Sequence, residues 1–195
     1  MSKYAAIYID SCCILDVAKF SLGRQATISD FAANEKHIQF CIKMLEAAKA
    51  HDLLVKTGSL TVSECQHLDG DYTEDIQRLL RSILTSGKVV KLVTDSIFVA
   101  EQARDLRWKH DICLGGADAL HIAMAIEGEC EEFVTTDKKI RGYKTQLAKL
   151  GLKVIPANET TLLPLKYIEP LEEPDIDHDS ERRLFDLLPK REDEI

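Results

Sequence analysis

The sequence lacks any apolar run of the roughly 18 to 20 residues that a membrane-spanning helix requires. Its first segment, MSKYAAIYID, reaches a charged residue before the apolar core of a secretory signal could form, so we expect no export signal. These absences predict no membrane insertion and a cytoplasmic location. Internal repeats are also missing, and a length of 195 residues favours one main domain with a sizeable core.

Paired cysteine spacings are missing as well. The chain has no CxxC pattern, and its six histidines do not supply the clustered partners that a zinc site requires. We therefore expect neither a disulfide framework nor structural zinc, and we interpret the cysteines as small buried hydrophobic residues. They are Cys12, Cys13, Cys41, Cys65, Cys113 and Cys130.

An excess of basic residues, which many nucleic-acid-binding proteins have, is the third absence. The formal net charge is −8, and the segment from Glu169 to the C-terminus alone contributes −7, with 11 acidic and 4 basic residues. The remaining chain is therefore close to neutral. It has no broad basic face, although a local basic rim and a bound cation could still hold RNA.

Short hydrophobic strands alternate with amphipathic helices along most of the chain. This alternation predicts a three-layer α/β/α fold with a central, mainly parallel sheet of about five strands. The predicted strands are Tyr4–Ile9, Leu53–Lys56, Lys88–Val93, Glu132–Thr136 and Lys153–Pro156. The predicted helices are Cys12–Phe20, a helix capped by Asn34 and ending near His51, Leu60–His67, Glu74–Leu84, a helix capped by Asp95 or Ser96 and ending near Trp108, Asp118–Ala125 and Lys139–Leu150.

The composition changes at Tyr167, which divides the chain into a domain of residues 1–166 and a tail of residues 167–195. The tail begins with the acidic, proline-bearing stretch EPLEEPDIDHDSE, which has little to bury and is typical of a linker. The closing ERRLFDLLPKREDEI has leucines at helical spacing. That pattern fits either a short docking helix or a frayed terminus.

Four acidic residues fall where the fold would bring them together. Asp10 and Asp137 follow the first and fourth predicted strands, whose carboxyl ends lie at one edge of a parallel sheet. Asp118 opens a helix after two glycines, and Glu64 lies on the helix that follows the second strand. Each acid alone is more simply explained as a helix cap or a turn residue. Together they predict a cluster of carboxylates at the carboxyl edge.

Clustered carboxylates repel one another unless a cation neutralises them. Their hard oxygen atoms suit Mg²⁺ or Mn²⁺, which also bind phosphate groups and can activate water. The chemistry that such a site suits best is phosphodiester hydrolysis.

Three segments resemble the PIN-domain nucleases, and most closely the VapC-type toxin ribonucleases. GGADALHIAMAIEGECEEFVTTDKKI is similar to the family's Asp-Ala-x-His-x-Ala helix and the following strand that ends Thr-x-Asp. IYIDSCCILD resembles the opening strand, and SLTVSEC resembles the internal helix that carries a glutamate. The resemblance spans about residues 4 to 156. One departure is Cys12, where the family usually has an asparagine that hydrogen-bonds better than a thiol.

The resemblance implies an endoribonuclease with Mg²⁺ or Mn²⁺ that acts on tRNA, rRNA or mRNA. It assigns the catalytic and metal-binding roles to Asp10, Glu64, Asp118 and Asp137, with support from Ser11 and Thr135. A toxin of this class would pair with an antitoxin protein, and related toxins commonly form homodimers. From their position after Asp137, Lys138, Lys139 and Arg141 are candidate phosphate contacts, although a solvated helix start explains them nearly as well.

Individual residues and the whole chain also allow other interpretations. His121 fits a packing residue better than a general base, and Trp108 a core residue better than a base-stacking one. Aspartyl phosphotransfer lacks support, because no second acid follows Asp10 at the required spacing. The alternative function is a catalytically inactive PIN-like scaffold that binds RNA or a protein partner. Retention of all four acids argues against this scaffold.

Overall fold

The computed structural model of the chain describes residues 5–21, 28–65 and 74–172. Tyr4, His67 and the tail beyond Glu172, on which parts of the sequence predictions fall, lie outside these ranges. Within them, each helix is either too short or too polar to span a membrane.

Five short strands form one parallel sheet in the order β3-β2-β1-β4-β5. Their side chains are mostly buried at the centre of the sheet, where β1 and β4 have no exposed residue. Burial on both faces explains why β1, with the sequence AIYI, is a continuous apolar run rather than an alternating one. The strands are β1 (Ala6–Ile9), β2 (Leu54–Gly58), β3 (Lys91–Val93), β4 (Glu132–Val134) and β5 (Lys153–Ile155).

Helices cover both faces of the sheet, which gives the predicted three-layer α/β/α fold. One hydrophobic cluster lies between the sheet and α1, α2 and α4, and α9 packs on α2. The other cluster lies between the sheet and α5, α6 and α8. The helices are α1 (Ser11–Ser21), α2 (Ile28–Lys49), α3 (Ser59–Glu64), α4 (Glu74–Leu84), α5 (Ile97–His110), α6 (Gly116–Glu127), α7 (Lys138–Arg141), α8 (Lys144–Lys149) and α9 (Leu165–Glu172), with a short 3-10 helix at Ala157–Glu159.

The strand order reverses beside β1, and this reversal positions the site. From β1 the chain builds β2 and β3 on one side, and it then returns to build β4 and β5 on the other. Helices leaving β1 and β4 diverge at this point, which opens a crevice beyond the carboxyl ends of the two strands. Asp10 follows β1 and Asp137 lies three residues beyond β4, so both stand at the mouth of that crevice.

Two predicted helix boundaries were wrong. Asn34 does not cap the second helix, because α2 begins at Ile28, and Ala32 and Ala33 favour its extension through Asn34. The helix predicted over Lys139–Leu150 is two helices, separated at Gly142 and Tyr143, where glycine disfavours continuation. The helix after Ser96 agrees with the prediction: the Ser96 hydroxyl accepts from the Val99 amide, and the helix ends at His110.

The predicted linker also begins too early. Residues 167–172 belong to α9, and the side chains of Tyr167 and Ile168 pack against the core. The Tyr167 hydroxyl donates to the Asp52 carboxylate at 2.7 Å, which ties this helix to the end of α2. A predominantly acidic composition concealed these anchors. The division into a domain and a tail remains a prediction for residues 173–195.

Candidate active site

Asp10 is a buried carboxylate that is held from two sides. Its side chain lies at the end of β1 and the residue is only 5% exposed. Oδ1 accepts from the backbone amide of Ser11 at 2.8 Å, and Oδ2 accepts from the Thr135 hydroxyl at 2.6 Å. Both predicted supporting residues therefore contact Asp10, Ser11 through its backbone and Thr135 through its side chain. These bonds fix the carboxylate while each oxygen keeps capacity for a further ligand.

Thr135 also connects Asp10 with Asp137. The backbone amide of Asp137 donates to the same Thr135 hydroxyl at 3.0 Å. Asp137 is the N-cap of α7, and its Oδ1 accepts from the Lys139 amide at 2.6 Å. One buried threonine thus sets the spacing between two of the predicted site residues.

Asp118 is influenced by the negative charges of these two acids. It lies in the first turn of α6 and is half-buried. Burial raises the pKa of the Asp118 carboxyl, and the negative charges of Asp137 and Asp10 raise it further, while Lys139 and His121 oppose the shift. The charges of Asp10 and Asp137 therefore act on Asp118 in the fold, as the predicted clustering requires.

Glu64 reaches the same region from α3. Its side chain is 29% exposed, and Oε2 lies 2.8 Å from Nε2 of His121, one turn after Asp118 on α6. Burial raises the pKa of the neighbouring Cys65 thiol to about 12, with contributions from the charges of Glu64 and Asp10. The contact with His121 links Glu64 to α6, the helix that carries Asp118.

The carboxylate set has the chemistry of a site for a hard divalent cation. Its members offer oxygen ligands of the kind that Mg²⁺ and Mn²⁺ prefer. Among the described residues, no lysine or arginine side chain forms an ion pair with Asp10, Asp118 or Asp137. Burial raises the pKa of the Asp118 carboxyl, and repulsion from Asp137 and Asp10 raises it further; a bound cation would relieve that repulsion. The donor types therefore suit such an ion, although among the described residues no three of the four carboxylates have oxygens within 4.8 Å of one another.

The comparison with protein families gives one result that bears on this arrangement. The family described as PIN domain matches residues 27–145, which is more than half of the chain. The chain belongs to the PIN domain family. No curated protein and no solved structure gave a match. PIN domains are generally nucleases, and they generally use divalent metals.

The PIN match includes Glu64, Asp118 and Asp137 but begins after Asp10. The place of Asp10 in the site therefore depends on its position at the end of β1 and on its shared hydrogen bond with Thr135. The matched range is also shorter than the resemblance from residue 4 to residue 156. Placement in the VapC-type subfamily stays a prediction.

Cys12 contacts the PIN-domain site, although it replaces the usual asparagine. Its Sγ lies 3.4 Å from Asp10 Oδ2, and the Thr136 hydroxyl donates to the sulfur at 3.4 Å. A hydrogen bond with Cys13, together with burial, raises the pKa of the Cys12 thiol well above its usual range. The protonated thiol can thus donate weakly to Asp10, so it partly replaces an asparagine amide.

The predicted basic residues after Asp137 differ in their positions. Lys138, Lys139 and Arg141 are all exposed. The charge of Lys139 acts on Asp118, and that of Arg141 acts on His37 on the other side of the sheet. Of the three, Lys139 is the one whose charge acts on a carboxylate of the set, which is the position that a phosphate-binding residue would need.

Three further residues that could hold a metal meet beneath α1, contrary to the expectation from spacing. Sγ of Cys13 and Sγ of Cys41 lie 3.4 and 3.5 Å from Nε2 of His37. However, the amide of Ala157 donates to Nδ1 of His37 at 2.9 Å. In a neutral ring this bond makes Nε2 the protonated nitrogen, which leaves it no lone pair for an ion. The cluster is better explained as a buried hydrogen-bond network.

The prediction for Trp108 was wrong. The side chain is 72% exposed, and the Arg104 guanidinium lies 4.8 Å from the centre of its ring. Leu106, which is buried, precedes Trp108 by two residues, a rotation of about 200° around the helix. The tryptophan therefore faces away from the core. The prediction for His121 agrees with a buried residue, which is 2% exposed.

Proposed function

We propose that this PIN domain is a metal-dependent endoribonuclease that hydrolyses RNA phosphodiester bonds. The observation that carries the proposal is the buried Thr135 hydroxyl, which joins Asp10 and Asp137 at the carboxyl edge of the sheet. There the charges of both acids add to the effect of burial in raising the pKa of Asp118. A fold does not keep such repulsion for stability, and perturbed acids at the mouth of a crevice are typical of functional sites. The RNA substrate class rests on the resemblance to toxin ribonucleases.

In this proposal Asp10, Glu64, Asp118 and Asp137 hold Mg²⁺ or Mn²⁺. A bound ion would supply a more acidic water and would stabilise negative charge on the leaving oxygen. Thr135 and the Ser11 amide keep the Asp10 carboxylate in place, which limits its reorganisation during the reaction. Lys139 is the residue we assign to hold the phosphate near Asp118.

The test is cleavage of total RNA and tRNA by the purified chain with Mn²⁺. We expect discrete fragments, their loss with EDTA, and a decrease of about 100-fold or more in Asp118→Asn, because the metal contributes several kcal/mol to transition-state stabilisation. Glu131→Gln is the matched control, because it removes one charge from an exposed residue at the opposite edge of the sheet.

Full activity of Asp118→Asn, with Glu131→Gln also active, would overturn the assignment of the site. Mn²⁺ binding without cleavage of any RNA would instead favour the scaffold alternative. The narrower proposal, a toxin with an antitoxin partner and a homodimeric state, rests on the resemblance alone. It predicts growth arrest on expression of the wild-type chain and none with Asp118→Asn.

A further inference from the structure

Glu64 is connected to a buried pair of polar side chains that the proposed chemistry does not use. Its Oε2 lies 2.8 Å from Nε2 of His121, and Nδ1 of His121 lies 2.8 Å from the hydroxyl of Tyr8. His121 is 2% exposed and Tyr8 is fully buried. The three side chains come from α3, α6 and β1, so this row of hydrogen bonds links three separate elements of the fold.

The donor and the acceptor in each hydrogen bond of this row follow from the protonation of the side chains. The Tyr8 phenol carries its proton at neutral pH, so its hydroxyl donates to Nδ1 of His121. In the neutral ring, Nε2 then carries the hydrogen and donates to Glu64, an assignment made from the network. A carboxylate held through one oxygen keeps the other available to an ion.

The surroundings of Tyr8 fix its position. Its ring stacks on Phe133 at 5.1 Å and meets the His121 ring edge-on at 6.0 Å. Gly58, the residue directly before α3, leaves space for the hydroxyl, because a Cβ there would lie 2.5 Å from it and would also clash with Cε of Met124. Glycine at position 58 is therefore what leaves room for the Tyr8 hydroxyl.

We infer that Tyr8 and His121 are positioning residues that orient the Glu64 carboxylate for the divalent cation. This inference rests on the proposed function for the role of the ion. Neither residue needs to touch substrate. Outer hydrogen-bond partners of this kind typically change metal affinity by 10- to 100-fold, because they restrict the ligand to its binding orientation.

Two substitutions of His121 separate orientation from packing. The amide nitrogen of glutamine reaches about as far as Nε2, whereas the amide of asparagine reaches only about as far as Nδ1. By calorimetry we expect His121→Asn to bind Mn²⁺ about 10- to 100-fold more weakly and His121→Gln to stay close to the wild type. Tyr8→Phe removes the donor to His121 while keeping the ring, and a smaller weakening is expected.

A second set of variants ties the effect to Glu64. In a Glu64→Gln background, His121→Asn should cause little further loss of Mn²⁺ affinity, because the carboxylate that it orients is gone. An equal loss in both backgrounds would overturn the inference, as would equal affinities of the wild type, His121→Asn and Tyr8→Phe. Thermal unfolding in EDTA checks that each variant is folded.

The two proposals fail in different ways. If the wild type binds Mn²⁺ and substitution of His121 leaves the affinity unchanged, only the positioning role is contradicted. Absence of Mn²⁺ binding by the wild type contradicts the proposed function. In that case, nitrogen NMR of His121 still tests the hydrogen-bond row, because we expect the proton on Nε2, and a proton on Nδ1 alone would contradict it.

Discussion

Glu132 and Asp10 are both buried carboxylates of the same parallel sheet, but they lie at opposite edges and have opposite surroundings. Glu132 opens β4 and is 2% exposed. Its oxygens accept from the hydroxyls of Thr160 and Thr161, at 2.5 and 2.8 Å, and from the Thr161 amide at 3.1 Å. Lys153 Nζ lies at 3.2 Å and compensates the charge.

Asp10 is held by hydrogen bonds too, but its charge is not compensated in the same way. Its neighbours at the carboxyl edge include Asp118 and Asp137, which are themselves acidic. The comparison shows that burial and hydrogen bonding are common to both carboxylates. What distinguishes the candidate active site is the like-charge repulsion that remains, and a cation would relieve it.

The largest effect on stability is expected from Glu132→Ala. The substitution leaves the buried hydroxyl of Thr160 and the amide of Thr161 without their acceptor, so we expect a loss of about 3 kcal/mol in the free energy of unfolding. Chemical denaturation measures this loss. Glu131→Ala, at the exposed neighbouring position, should change stability by no more than about 0.5 kcal/mol. Equal losses in the free energy of unfolding for Glu132→Ala and Glu131→Ala would contradict a structural role of Glu132.

A somewhat smaller effect is expected when Mn²⁺ binds at the opposite edge. A single bound ion at 100 times its Kd stabilises the folded chain by about 2.7 kcal/mol, which a thermal-shift measurement can detect. Asp118→Asn should lose most of this stabilisation. In EDTA the same variant should unfold at or above the wild-type temperature, because it removes a repelled charge.

The Mn²⁺ measurement also tests whether the ion binds at the edge of the sheet with Asp118 rather than at the edge with Glu132. Glu131→Gln should keep the full Mn²⁺ shift, because it changes a charge at the edge that holds Glu132. If Mn²⁺ stabilised Asp118→Asn as much as the wild type, the carboxyl edge would not be the binding site. A marked decrease in stability of Asp118→Asn in EDTA would place Asp118 with Glu132 among the structural carboxylates.

Sequence patterns predicted the sheet and the places of Asp10 and Asp137 beyond its strands because both depend on local rules. The apolar run YAAIYI marks β1, shorter apolar stretches mark β2 and β4, and acids that follow strands of a parallel sheet lie at one edge. The order of the strands, with β1 in the centre, follows from side-chain packing between distant segments. No short-range pattern contains that information.

The sequence could not predict which buried polar side chains contact one another. Tyr8 belongs to a run that predicts a buried strand, and a buried tyrosine normally needs a hydrogen-bond partner, which was the available signal. Its partner, His121, is 113 residues away. Likewise His37 meets Cys13 and Cys41 across two helices, a contact that spacing along the chain did not predict.

The smallest effect is expected at Asp52, an ion-paired carboxylate that, unlike Glu132, is not buried. Its Oδ2 lies 2.7 Å from Lys166 Nζ and 2.7 Å from the Tyr167 hydroxyl, and these bonds hold the pKa of the Asp52 carboxyl below its usual value. Their contribution is fully present above the unfolded pKa of about 3.8, and it is lost as pH falls through the lower folded pKa.

Asp52→Asn should therefore speed hydrogen exchange in α9 at pH 7 without a large change in global stability, since exposed ion pairs contribute little. The difference from the wild type should decrease as pH falls below 3.8. Tyr167→Phe, which removes one of the two bonds, should have an intermediate effect. If Asp52→Asn destabilised the chain as much as Glu132→Ala, burial would not be what makes the Glu132 contacts important.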